Sequence, residues 1–226
     1  METAAPDHLV PRKRPRQARA LATLDAIFEA TLQVLVAEGP QRLTTTRVAH
    51  RAGVSVGTMY QYFPHKQALI HALNERYLET LAVEIERTCL NQQGTSVETM
   101  VEALIDTYWR LKTERPEVTR ALYRSVVEID NTALIEAFAS RVDTATTAML
   151  ASARDATFED IEAVNLTLVT VIFGTVRNAF ERGLCPPAAD ALQRQLSAMC
   201  RAYVRSAADA SAATSRHRWE SGPEQV

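Results

Sequence analysis

The sequence predicts an all-α protein of about nine helices, arranged as a small N-terminal head and a larger helical body. Three observations carry that expectation. Alanine supplies 35 of 226 residues, while glycine and proline supply only 7 and 9, a composition that favours helix. Apolar residues recur at spacings of three and four through most of the chain, as helices with one buried face require. No segment alternates convincingly with the period of two that a half-buried strand needs.

The elements follow in order. Residues 1–18 hold Pro6, Pro11 and Pro15 among basic residues and read as a disordered arm. Leu21, Leu24, Phe28, Leu32 and Leu35 mark an amphipathic helix that stops at Gly39-Pro40. Thr44 is placed to cap a short second helix to about Arg51, and Gly53 stands where a tight turn needs positive φ. Ser55 is placed to cap a third short helix, which ends near Tyr62 because Pro64 disfavours α conformation at Phe63. From Lys66, the residues Ile70, Leu73, Tyr77, Leu81 and Ile85 mark a long helix closed by Gly94. Thr95-Ser96-Val97-Glu98 reads as a capping box opening the next helix, with Val97, Val101, Leu104, Tyr108 and Leu111 on one face.

Pro116 begins a helix to about Val127, and another fills roughly 132–154. Thr157 is expected to cap a strongly apolar helix reaching Gly183. Pro186-Pro187 breaks it, and a last helix uses Leu192, Leu196, Met199 and Tyr203. The expected domains are an arm at 1–18, a head at 19–64, a body at 65–206 and a disordered polar tail at 207–226.

Composition excludes several classes. Apolar and charged shares of 46% and 23% rule out global disorder. The longest apolar run without a charge, Ala163–Val176, has 14 residues against the roughly 20 of a bilayer span, so no membrane partner is expected. No secretory signal is visible. Three distant cysteines, Cys89, Cys185 and Cys200, argue against a disulfide framework and for a reducing cytoplasm. No nucleophile elbow, phosphate loop or dinucleotide fingerprint is present, so no catalysis is expected. The carboxylate neighbours Glu128/Asp130 and Glu159-Asp160 sit at helix ends, where acids serve capping and solubility. His65 and His71, six apart, are poorly placed for one helical face and read as surface residues. No metal or cofactor is implied.

The net charge of −2 hides an asymmetry. Residues 12–66 hold nine Lys/Arg against three acids, whereas residues 67–226 hold sixteen against twenty-two. A basic N-terminal third on an acidic remainder suits a module that meets a polyanion. Within it, Leu43–Leu69 forms two short helices around Ala52-Gly53-Val54, helix-turn-helix geometry with small apolar residues Val48, Ala49, Ala52 and Val54 at the crossing. The second helix presents Val56, Gly57, Thr58, Tyr60, Gln61 and Tyr62, with no carboxylate among them. Hydroxyls can donate to phosphate, and the Gln61 amide can read an adenine edge. An αα-hairpin with merely packed aromatics is the alternative on residue chemistry alone.

Thr44 to Leu69 resembles the DNA-binding domain of the tetracycline-repressor (TetR) family of bacterial transcription factors. The matching residues are Val48-Ala49, Ala52-Gly53-Val54-Ser55, Gly57-Thr58, Tyr60, Tyr62-Phe63, Lys66 and Leu69, in register without a gap. The remaining 150 or so residues match only in size and helical character. The resemblance implies a cytoplasmic homodimer that binds double-stranded operator DNA, most simply a repressor released by a small-molecule effector; an activator, or a regulator without an inducer, is the alternative. It places Thr58, Tyr60 and Lys66 at phosphate-contacting positions, with Tyr62 adjacent. Val56, Gly57 and Gln61 fall at base-facing positions, and Thr45 and Thr46 at phosphate or base. Phe63 and Leu69 are assigned to the core.

For the body, the apolar helix and the last helix are expected to form the dimer interface through Val176, Leu192, Leu196, Met199 and Tyr203, with Gly174 permitting close crossing. A pocket is expected among the bulky residues Met100, Tyr108, Trp109, Tyr123, Val127, Phe138, Met149 and Phe173, implying a largely apolar ligand. Asn165 and Asn178 are the polar residues placed to orient it.

Overall fold

The computed structural model describes residues 18–126 and 131–220, with backbone alone at 18, 19, 126 and 209–220. Among the described residues there are nine α-helices and no strand. They are α1 (Ala18–Glu38), α2 (Thr45–Ala52), α3 (Val56–Tyr62), α4 (Lys66–Gln92), α5 (Val97–Thr113), α6 (Pro116–Val126), α7 (Thr132–Ala151), α8 (Ile161–Glu181) and α9 (Pro186–Glu220). A single 3₁₀ turn, Pro40–Arg42, joins α1 to α2. The basic arm lies outside the described residues. α9 continues helical past residue 206, where the sequence reading ended it. Residues 207–213 are mostly alanine, which sustains helix without any apolar periodicity.

Two compact units divide the chain: residues 1–80 with 115–138, and residues 81–114 with 139–226. The first holds more than the expected head. α1 buries Ile27, Phe28, Val34 and Leu35 against Leu43, Val48, Met59 and Phe63, and α6 adds Val118, Ala121 and Leu122 to the same core. Phe28 and Phe63 meet at 5.9 Å between ring centroids. His71 is buried here, not superficial, because α4 is buried on every side from Ala68 to Asn74.

In the second unit, α5 buries Val97, Met100, Val101, Leu104, Ile105, Tyr108 and Trp109. Polar fastenings then fix the neighbouring helices. Arg201 of α9 reaches Glu98 at 2.9 Å and Glu102 at 2.8 Å on α5. Arg141 of α7 forms a two-pronged pair with Glu86 of α4, both contacts at 2.8 Å, which holds the Glu86 carboxyl below its ordinary range. Such planar, bidentate pairing is what guanidinium geometry supplies.

Two caps differ from expectation. Ser96, not Thr95, caps α5 by accepting from the Thr99 N–H. Thr95 instead donates to the Gln92 carbonyl, and Asp155 accepts the Val97 N–H at 2.8 Å. Glu98 is therefore free to pair with α9. At α8 the cap is Asp160, accepting from Ala163 N–H at 3.0 Å, three residues beyond Thr157.

α1 and α8 are long and apolar enough, by length and composition, to cross a membrane. The count of uninterrupted apolar residues missed this, since a window average tolerates the occasional charge. Each also packs one face inside its own unit: α1 buries Ile27, Phe28, Val34 and Leu35, and α8 buries Val164, Leu168, Ile172 and Val176.

Replacing Asp160 by Ala is expected to cost about 1 kcal/mol in chemical denaturation, the usual worth of an N-cap. Thr157→Ala is expected to change stability by less than about 0.5 kcal/mol.

Candidate nucleic-acid interface

α2 and α3 are held by local chemistry at each end. The Thr44 hydroxyl accepts from Arg47 N–H. Gly53, at φ 68°, closes α2, and Val54 N–H returns to the Ala49 carbonyl at 3.0 Å. Positive φ at this position favours glycine. Ser55 Oγ then caps α3, accepting from Thr58 N–H at 2.9 Å and sharing a 2.8 Å hydrogen bond with the Thr58 hydroxyl. α2 is tied back to α1 by an Arg47–Glu38 ion pair and by Arg51 donating to Gln33 at 2.9 Å.

At 100° per residue, Val56, Gly57, Tyr60 and Gln61 occupy one arc of α3, and all four are exposed. Met59 and Tyr62 lie on the opposite side and are buried. Thr46 is exposed and Thr58 and Lys66 are half-buried. Two of the expected contact residues offer little surface: Tyr62 is 6% exposed within the head core, and Thr45 is 8% exposed at the start of α2. The helical period sends Tyr62 inward with Met59. Phe63 and Leu69 are in the core, as expected.

Two further features mark the surface. No Asp or Glu occurs from Gly39 to Asn74, a stretch holding Arg42, Arg47, Arg51 and Lys66, and Arg42 is exposed on the 3₁₀ turn. His65 caps α4: its Nδ1 accepts from the Ala68 N–H at 3.2 Å, a role for which Ser, Thr, Asp or Asn is the usual signal.

Gly57 is the informative position. A Cβ built there would meet only Ser55 Oγ, at 3.7 Å, an ordinary contact, and its φ is not positive. The fold does not require glycine, yet glycine in a helix costs up to about 1 kcal/mol relative to alanine.

The residues assigned to a ligand pocket are dispersed. Met100, Trp109 and Met149 are buried in the second unit, Tyr108 stacks on Phe173 with centroids 4.0 Å apart, and Tyr123 and Phe138 belong to the first unit. Val127 lies outside the described residues. Asn165 is buried; its amide donates to Asp143 at 3.3 Å and its Oδ1 has no hydrogen-bond partner. Asn178 is exposed, so it cannot orient a ligand inside the unit. Lys112 is 2% exposed with Nζ 5.2 Å from the Tyr108 ring centroid. Burial, helped by the nearby Arg177 charge, pushes its amine down to about 7.

Of the expected dimer residues, Val176 and Leu196 are buried within their own unit. They sit on the side of each helix that meets the other helices of the bundle. Leu192 and Tyr203 are half-buried and Met199 is exposed, together with Leu166 and Gly174. A short apolar groove lined by Thr167, Leu168, Val171, Met199, Cys200 and Tyr203 runs between α8 and α9. Among the described residues, no cluster of three or more His, Cys, Asp or Glu could hold a metal ion.

A short capped helix with an open, acid-free outer face, crossed by a second helix at a Gly turn, defines a helix-turn-helix DNA-binding regulator. Residues 27–73 match the family described as bacterial regulatory proteins, tetR family, and residues 96–203 match the tetracyclin repressor-like C-terminal domain. The chain belongs to the TetR family. Among characterised proteins it is similar to the nucleoid occlusion factor SlmA of Haemophilus ducreyi, 34% identical over 109 residues, which are 48% of this chain and 53% of that protein. It is also similar to the HTH-type transcriptional repressor KstR of Mycolicibacterium smegmatis, 30% identical over 107 residues, 47% of this chain and 52% of that one. The chain thus spans about half the length of the curated relatives it matches. Among solved structures, TetR-type regulators of Streptomyces coelicolor (TM-score 0.59, 24% identity, 82% of this chain and 99% of that one) and Haloarcula marismortui (TM-score 0.65, 22% identity, 82% and 97%) share the fold.

Lys112 sets a pH dependence. Below pH 7 its amine is charged in the folded and unfolded chain alike. Between 7 and its ordinary 10.5 the folded chain has released a proton that the unfolded chain keeps, so stability rises with pH, by up to about 1.4 kcal/mol per unit. Above about pH 9 the buried thiols of Cys89 and Cys200, raised to about 12 and 11, act in the opposite direction. Chemical denaturation between pH 7 and 9 is expected to show a rising midpoint that Lys112→Met abolishes, with the variant more stable than wild type below pH 7.

Proposed function

We propose that this protein is a cytoplasmic, homodimeric transcriptional regulator, most simply a repressor, whose heads bind a palindromic operator and whose body releases it on binding a small molecule. The observation that carries the reading is Gly57, an unforced glycine at the centre of an exposed, acid-free helix face. Such a face lets the backbone approach DNA closely. Gln61 and Val56 face base edges in the major groove, and Thr46, Thr58, Tyr60 and Lys66 meet phosphates. Two heads bound in successive major grooves set their recognition helices roughly 34–36 Å apart. Thr45 and Tyr62 support this surface from beneath and are not contacts.

The dimer seam in this reading passes Gly174, where a Cβ would meet nothing within 4 Å. An interior glycine with open space around it again points to a neighbour outside the chain. Met199, Leu192 and Tyr203 flank the seam; Val176 and Leu196 hold α8 and α9 in place behind it. The effector is largely apolar, contacts the Tyr108–Phe173 stack, and offers a hydrogen-bond donor to Asn165 Oδ1. It shifts the operator equilibrium only by its difference in affinity for the two states.

The relatives named as nucleoid occlusion factors favour a second reading, in which the same DNA-binding head serves nucleoid occlusion in place of gene regulation. Sequencing the DNA fragments retained by the protein from its genome separates the two: a few sites upstream of genes support regulation, and dispersed sites support the second reading.

On a defined operator, Gly57→Ala is expected to raise thermal stability by a few tenths to about 1 kcal/mol while weakening binding at least tenfold. Lys66→Ala is expected to weaken all operator variants about equally and reduce the salt slope by roughly one ion. Gln61→Ala is expected to cost about 1–3 kcal/mol at one base pair. Unchanged affinity in Gly57→Ala overturns the assignment of α3 to the groove. Gly174→Leu is expected to yield a folded monomer by sedimentation at micromolar concentration; Leu196→Arg tests folding instead, because its side chain is buried in the chain's own core.

A further inference from the structure

We infer that the first unit carries a ligand site of its own, separate from the effector site proposed for the second unit, and that it takes a small uncharged molecule with an apolar body and a single carbonyl acceptor. A cavity of about 240 Å³ opens between α1, α4 and α6, all within that unit. Its floor is apolar, formed by edges of Phe28, Leu73, Val118 and Leu122. At somewhat below the roughly 300–1,000 Å³ of sites for drug-sized ligands, it suits a molecule of about a dozen heavy atoms.

The rim decides the charge of the occupant. Asp25 and Glu29, one turn apart on α1, each face a guanidinium from another element. Arg76 of α4 pairs with Asp25, and Arg115 grips both oxygens of Glu29 at 3.1 and 3.2 Å. The lining itself holds two cations and two anions, and Glu117 adds a further carboxylate 3.9 Å from Arg115 Nε, so no net positive charge is left for an anion. A charged ligand would have to break one pair and leave a partner uncompensated, whereas a neutral one need not. Arg76 also decides the polar group. Its guanidinium carbon lies 5.2 Å from the Phe28 ring centroid, and only Nη1 is spent on Asp25. Nε and Nη2 remain as donors at the cavity mouth, and a guanidinium has no acceptor to offer. A ligand meeting them must accept, as a ketone, ester or lactone carbonyl does.

The test uses the full-length protein with methyl-labelled leucine and valine, titrated separately with acetophenone, benzoate and ethylbenzene. These share a ring and size but differ in being neutral acceptor, anionic acceptor and non-acceptor. Acetophenone is expected to shift the methyl signals of Leu73, Val118 and Leu122 saturably at millimolar concentration or below, with benzoate and ethylbenzene at least fivefold weaker. Leu32→Trp, which fills the cavity from its half-exposed edge, is expected to abolish those shifts. Arg76→Met is expected to erase the preference for acetophenone over ethylbenzene while leaving the spectrum of the fold intact. If Leu32→Trp does not fold, Thr80→Trp blocks the same cavity from its exposed rim and serves in its place. Absence of saturable shifts at these methyls, shifts that survive the blocking variant, or benzoate binding as tightly as acetophenone would each overturn the inference.

Discussion

A seven-residue helix has no stability of its own in water, and the whole N-terminal unit follows from that constraint. α3 persists because Met59 and Tyr62 reach into a core built by α1, α4 and α6, while Ser55 secures its first turn. Its outer face is thereby released from any structural duty. That division of labour explains why so few of its exposed residues contribute to folding and why a glycine is tolerated among them. The ties from α2 to α1 serve the same end from the other side of the turn, fixing the support on which α3 rests.

Much of this was legible in the sequence because the signals are local. Thr44, Gly53, Ser55 and Pro64 each act within about one helical turn of where they stand, and each does what its chemistry dictates. The errors arose where several residues compete for one role. At the start of α5, Thr95 and Ser96 are equally good caps in isolation. Asp155, from a distant loop, takes one amide and settles the choice. At α8 the sequence offers Thr157, Glu159 and Asp160 in succession, and only the geometry of the incoming chain selects the last. Tyr62 shows the converse problem: Tyr60, Gln61 and Tyr62 look like one surface until the helical period is applied strictly.

The second unit was readable in outline and opaque in detail. Its helices announce themselves by periodicity, but which apolar face meets another helix and which is left bare depends on packing across the bundle. Val176 and Leu196 look no different in sequence from Met199 or Leu166, yet the first two are interior and the last two are not. Long-range pairs such as Arg141 with Glu86, or Arg201 with Glu98 and Glu102, bridge 55 to 103 positions, and nothing in the local sequence marks which of many charges will meet.

The inclusion of α6 in the N-terminal core bears on how proteins of this kind can be recombined. Val118, Ala121 and Leu122 close over the same apolar cluster as Ile27 and Phe63, although roughly fifty residues of chain separate them from the helix-turn-helix. A fragment cut after residue 64, or a hybrid that grafts only residues 19–64 onto a foreign body, inherits an uncovered patch where those three side chains and Leu69, Ile70 and Leu73 of α4 belong. A working exchange must carry residues 65–80 and 115–126 along with the head, or supply replacements of matching shape. The boundary suited to transplantation is therefore discontinuous in sequence, and a cut chosen from the N-terminal motif alone falls in the wrong place.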